Sequence, residues 1–154
     1  MTNSSNPSDA VTAPPSDEEI AAGMRRYVAY APDTGRVIAS AYCPADLMHT
    51  LHPGAGLLLD DQLDPLTEYV DPVTKQPRAR PVLILVASRN RIKADGADET
   101  TITGIPAGAI IIVRGETFEA DGAAVTYSTT QPGQHALRVL AFPYQDATVT
   151  IHAD

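Results

Sequence analysis

The sequence predicts an all-β protein with mainly antiparallel strands, and three observations carry that expectation. Short runs of β-branched, aromatic and aliphatic residues recur from Arg26 to the C-terminus, at the close spacing of an antiparallel sandwich or barrel. Between the runs stand turn-forming residues, among them Pro32-Asp33-Thr34-Gly35, Ala94-Asp95-Gly96, Asp121-Gly122 and Gln131-Pro132-Gly133. Thirteen prolines and ten glycines interrupt the 154 residues often enough to forbid long helices.

Taken in order, residues 1–22 read as a flexible tail of Asn, Ser, Thr, Pro, Asp and Ala with little to bury. Within it, Ser16-Asp17-Glu18-Glu19 has the pattern of a capping box that could start a turn of helix. A small β domain built on hairpins is expected over 25–80. Its firmest element is the hairpin Arg26–Tyr30, Pro32–Gly35, Arg36–Ala41. There Pro presets the backbone, Asp bonds the chain ahead of it, and Gly accepts the positive φ that closes the turn. Pro44 is placed for a first helical position, so a short helix is expected through His49 and must end at Pro53-Gly54. Strands follow at Gly56–Asp60 and Thr67–Val70. The turn Pro72-Val73-Thr74-Lys75 echoes Pro32-Asp33-Thr34-Gly35. Pro77–Pro81 reads as an extended connector, because residues before proline are pushed away from helix.

A second domain is expected over 88–154, a sandwich of short strands preceded by a strand at Val82–Val86. Its strands fall near Arg91–Lys93, Thr100–Thr103, Ala109–Val113, Thr117–Glu119, Ala124–Ser128, His135–Phe142 and Thr148–His152. Val149 and Ile151 alternate with Thr148 and Thr150, the period of a half-buried strand.

Composition argues against several function classes. The net charge of −8 disfavours nucleic-acid binding by the chain as a whole. Cys43 is the only cysteine, so an intrachain disulfide is excluded and a small buried thiol is expected. No apolar run approaches a membrane span, and the first residues lack a charged-then-apolar signal pattern, so synthesis and retention in the cytoplasm are expected unless the protein leaves within an assembly. His49 and His52, three apart, could share a metal on a helix, with Asp46 or Asp60 as a further ligand, or be ordinary loop histidines. Asp60-Asp61 and Asp64 could do acid–base work or be solvated turn residues. Asp95-Gly96-Ala97-Asp98-Glu99 lacks the spacing of an EF-hand and reads as Asx turns. No nucleophile elbow, phosphate loop, dinucleotide fingerprint or zinc pattern occurs. The expectation is a protein that is not an enzyme, with no catalytic residue, cofactor or metal.

Charge is unevenly spread. Between Asp71 and Lys93 lie Lys75, Arg78, Arg80, Arg89, Arg91 and Lys93, opposed only by Asp71, so this stretch carries +5 and the remainder −13. Arg78, Arg80, Arg89 and Arg91 are therefore candidates for docking an acidic partner. The alternative is a charged edge that discourages aggregation.

Two stretches carry a resemblance. Arg-Tyr-Val-Ala-Tyr-Ala-Pro-Asp-Thr-Gly-Arg-Val-Ile-Ala-Ser-Ala-Tyr-Cys-Pro over 26–44, with Tyr69-Val70-Asp71 further on, resembles small bacteriophage and prophage proteins encoded among tail and baseplate components. Ile92–Gly108, with its Ala94-Asp95-Gly96 turn, and Gln131-Pro132-Gly133-Gln134-His135 are similar to bacterial immunoglobulin-like (Ig-like) modules. The resemblance implies an Ig-like β-sandwich after the hairpin unit. It also implies a virion structural protein, made in the host bacterial cytoplasm and held by other tail, baseplate or capsid proteins or by copies of itself, without nucleic acid or membrane insertion. A carbohydrate- or cell-surface-binding module, a capsid decoration protein and a tail-fibre assembly chaperone are the alternatives.

Overall fold

A computed structural model describes residues 23–154, and the expected tail with its capping box lies outside the described residues. The chain is all-β and its sheets are mostly antiparallel. The first sheet has the order β2-β1-β3, with β1 (Met24–Tyr30) between β2 (Val37–Pro44) and β3 (Gly56–Leu59). Successive side chains of a strand leave on opposite faces, and here both faces of β1 are covered. Tyr27 and Ala29 pack with Cys43 and Met48, while Val28 and Tyr30 pack with Val37, Leu63 and Val70. The expected helix is one turn, α1 (Met48–Leu51), which begins after the expected start because 45–47 form a turn.

β4 (Glu68–Val70) and β5 (Pro77–Ala79) form a separate two-stranded hairpin. The segment expected to be a connector is thus a paired strand: Val70 faces Pro77 and Glu68 faces Ala79. Proline fits because an edge strand tolerates a missing donor.

The two turns that echo in sequence are alike in the structure. Gly35 N–H donates to Ala31 O (2.7 Å) and Ala31 N–H to Arg36 O (2.9 Å). Lys75 N–H donates to Asp71 O (2.8 Å) and Asp71 N–H to Gln76 O (2.9 Å). Gly35 has φ +78 and Lys75 has φ +57. The hairpins also meet, because Val70 N–H donates to Gly35 O at 2.9 Å.

The C-terminal half is a sandwich of two sheets. One has the order β11-β8-β6, from β6 (Val86–Ala87), β8 (Glu99–Thr103) and β11 (Val125–Ser128). The other has the order β10-β9-β12-β13-β7, from β7 (Arg91–Ile92), β9 (Ile110–Val113), β10 (Glu116–Glu119), β12 (Gly133–Leu140) and β13 (Ala147–Ala153). The opening strand is divided between the sheets: β6 pairs with β8, whereas β7 pairs in parallel with β13. The chain changes sheet from β6 to β7, β7 to β8, β8 to β9, β10 to β11 and β11 to β12. Ile102, Ile111, Val113, Leu137, Val139 and Ile151 fill the space between the sheets.

The strand expected at Val82–Val86 is paired only from Val86 onward. Its neighbour β8 ends at Thr103, and Gly104 at φ +90 turns that chain away before Pro106. Val82–Leu85 therefore run past the end of their partner.

Candidate protein–protein interface

The four arginines between Asp71 and Lys93 each have a separate acidic partner. Arg78 on β5 pairs with Asp71 at 2.9 Å. Arg89 pairs with Asp98 and donates Nε–H to Glu99 O at 2.9 Å. Arg91 lies 3.2 Å from Asp154. The neighbouring acids are themselves held ionised. The backbone N–H groups of Thr74 and Val73, and then the Arg78 guanidinium, lower the pKa of Asp71. The Lys93 N–H, and then Arg89, lower that of Asp98.

Arg80 is a correction to the expected docking set. It is 7% exposed, and its guanidinium is spent inside the chain. Nε–H donates to Pro143 O (3.0 Å), Nη1–H to Pro65 O (3.0 Å) and Leu66 O (3.2 Å), and Nη2–H to Tyr144 O. Asp146 completes the enclosure at 3.6 Å. The planar fork of donors lets one arginine serve several carbonyls at once. These carbonyls come from both halves of the chain, so Arg80 is a tie between the hairpin region and the sandwich. Phe142 sits at the same junction, with Arg36 over its ring at 4.6 Å and Tyr69 edge-on at 5.8 Å. Of the four arginines, Arg78, Arg89 and Arg91 remain at the surface, each in an exposed pair of the kind that contributes about 0–1 kcal/mol.

What projects from this stretch is apolar. Val82 is 69%, Ile84 74% and Val86 56% exposed, whereas Leu83 is buried and Leu85 half-buried. That alternation marks an extended backbone with one face in the sandwich and the other in solvent. Among the described residues, Val82–Leu85 make no backbone hydrogen bond. The segment thus continues the open edge of β6 beyond the end of β8, with free backbone groups at 82–85 beside an apolar row. Sequence reasoning missed these residues because a Val/Leu/Ile run reads as a strand buried on both faces, so its exposed positions look like its buried ones.

The other candidates are structural. Tyr27 Oη and His52 Nε2 are hydrogen-bonded at 3.1 Å, which engages one ring nitrogen of the expected His pair. Cys43 is a buried free thiol. Asp60 pairs with Arg25, Asp61 accepts from Gln62 N–H, and Asp64 accepts from Leu66 N–H. Asp95 accepts the N–H groups of Ala97 and Asp98, as an Asx turn does. No group of three or more His, Cys, Asp or Glu that could hold a metal occurs among the described residues. Tyr42, 55% exposed, is the most exposed tyrosine, and Arg26 lies 4.8 Å above its ring. A cleft of about 540 Å³ opens between β10 and β11, lined by Val113, Phe118, Val125 and Leu137. Beside it Tyr127 Oη is buried without a hydrogen-bond partner among the described residues.

No family model matches the chain, and no curated protein or solved structure matches it either.

Proposed function

We propose that this chain is a structural component of a bacteriophage or phage-like particle, associated with its tail or baseplate, and that it acts through protein–protein contacts. The observation that carries this reading is the Val82–Val86 edge, where free backbone groups and exposed Val82, Ile84 and Val86 stand together. An edge of this kind is the template for adding a neighbour's strand, with main-chain bonds giving affinity and alternate side chains giving selectivity. A lone protein normally blunts such an edge with charge, a bulge or a covering loop. The resemblance of 26–44 and 69–71 to tail and baseplate proteins supplies the setting. The sugar-binding alternative draws no support from the tyrosines, because Tyr27 and Tyr30 are buried, Tyr69, Tyr127 and Tyr144 are half-buried, and Arg26 lies over the Tyr42 ring.

The test is incorporation into purified particles, followed by mass spectrometry. The chain is expected in the particles. A Val82→Glu, Val86→Glu double variant is expected to be depleted at least about tenfold while keeping its melting temperature, since both side chains lie mostly in solvent. Particles that lack the wild-type chain, or take up the double variant equally, overturn the reading.

A further inference from the structure

The segment Val82-Leu83-Ile84-Leu85-Val86 reads the same in both directions. In an antiparallel pairing of two copies centred on Ile84, Val82 therefore faces Val86, Leu83 faces Leu85, and Ile84 faces itself. Every cross-strand pair matches like with like in size.

The backbone is oriented for that pairing. On the inner side Ser88 N–H donates to Thr101 O at 2.8 Å. Farther along, a Cβ on Gly104 would lie 2.2 Å from Ile84 O. The even-numbered residues 84, 86 and 88 thus turn their backbone groups toward β8. In an extended strand these directions alternate, so the N–H and C=O groups of Leu83 and Leu85 point to the open edge. In the centred register Leu83 of one copy and Leu85 of the other exchange both N–H···O bonds, and symmetry repeats the pair. Ile84 then falls at a position between bonded pairs, where opposing Cα atoms come to about 4.5 Å and side chains are closest. Val82, Ile84 and Val86 of both copies lie on one face and close into a continuous apolar patch.

We propose that two copies of this chain associate through Val82–Val86, as an antiparallel strand pair about a twofold axis at Ile84. This joins the two β11-β8-β6 sheets edge to edge. The interface is isologous: the same patch serves both partners and the contact closes at two copies. The inference rests on the reading of this edge as a contact surface and names its occupant. Five paired residues a side fall below the size of a standard stable interface, so the contact is a weak, transient one, and dissociation on the order of 10–100 μM is expected.

The experiment uses the full chain. Sedimentation equilibrium over a concentration series should show the mass rising from 16.3 kDa toward twice that value. An Ile84→Lys variant, which sets two ammonium groups opposite each other at the axis, should stay monomeric at every concentration with an unchanged melting temperature. As a variant that leaves apolar character in place, Ile84→Cys should form a disulfide-linked dimer under mild oxidation, because opposing Cβ atoms across such a pair lie within bridging reach. Val73→Cys, at an 86% exposed turn position, should not. A monomer at the highest concentration, or Ile84→Cys cross-linking no faster than Val73→Cys, overturns the twofold pairing. If particle incorporation is still lost in the Val82→Glu, Val86→Glu variant after such a result, a different protein occupies the edge and the particle reading stands. If the dimer forms but particles lack the chain, the particle reading alone falls.

Discussion

The two halves of this chain solve the same problem at different scales. The sandwich encloses one large buried cluster between two sheets, running from Leu83 to Ala153. The hairpin region has a three-stranded sheet whose two faces are each covered by a small cluster, one around Val28, Tyr30 and Val70 and the other around Tyr27, Cys43 and Met48. No buried cluster mixes residues before Arg80 with residues after it. Small units bury a smaller fraction of their surface and are correspondingly marginal. The hairpin region accordingly gains its order from outside its own core, through polar and aromatic contacts at Arg80 and Phe142. A sandwich can rest on apolar burial, whereas a unit this thin depends on a tie.

Cutting that tie should have the largest effect. Arg80→Ala leaves the carbonyls of Pro65, Leu66, Pro143 and Tyr144 without their donor and Asp146 without one of its cations. A loss of roughly 3–5 kcal/mol is expected, the range for breaking one side of a buried charged contact. Hydrogen exchange should show it unevenly, with amides of β4 and β5 losing protection while β12 and β13 retain theirs. Equal loss in both halves would show that the chain is a single cooperative unit and would remove the contrast.

A moderate effect separates the twin turns. Gly35 stands at φ +78, and a Cβ there would lie 1.6 Å from Val70 O. Gly35→Ala should therefore cost more than the roughly 1–2 kcal/mol that the left-handed region alone costs an L-residue. Lys75 adopts the same conformation at φ +57, so Lys75→Gly should be neutral or stabilising by less than about 1 kcal/mol. Urea midpoints at constant m distinguish the two. Similar costs at both sites would mean that the clash with Val70, and hence the docking of one hairpin on the other, contributes little.

The smallest effect is common to both halves. Asp71 in the hairpin region and Asp95 and Asp98 in the sandwich all have lowered pKa values. In each the first cause is a backbone N–H, from Thr74, Asp98 and Lys93 respectively. A carboxyl whose folded pKa is depressed contributes stability that is complete above its unfolded value, about 3.9, and is lost as pH falls through the folded one. Urea midpoints should therefore be level near neutral pH and decline below about pH 4. In Asp71→Asn the decline should shrink for the hairpin region alone. A flat response to acid would show that these loops add nothing to either half.

Much of the fold was legible because its signals are local. Pro32-Asp33-Thr34-Gly35 closes a hairpin by the conformations those residues prefer, and β13 shows its buried face through Val149 and Ile151 alternating with threonines. The echo between the two turns also survives in space, down to the same pair of backbone bonds. What the sequence hid depends on distant partners. Arg80 looks like any arginine in a proline-flanked connector, and the carbonyls of Pro143 and Tyr144 that enclose it lie more than sixty residues away. Val82, Ile84 and Val86 are no different in type from the residues between them, so only the packing of Leu83 and Leu85 against the sandwich core reveals which side is open.

The enclosure of Arg80, with the close pairing of Arg78, Arg89 and Arg91 to acids, also changes how the molecule looks from afar. Cations matched to nearby carboxylates leave little field of their own, so an approaching protein meets the uncompensated remainder of a chain with net charge −8. Diffusional encounter is then steered by the acidic body and favours a basic neighbour. Two copies repel each other until their apolar edges touch, and added ions that shorten the reach of that repulsion quicken their meeting. Arg80 works as an internal fastening and Arg78, Arg89 and Arg91 as surface pairs, while the long-range character of the surface is set by the acids they leave unmatched.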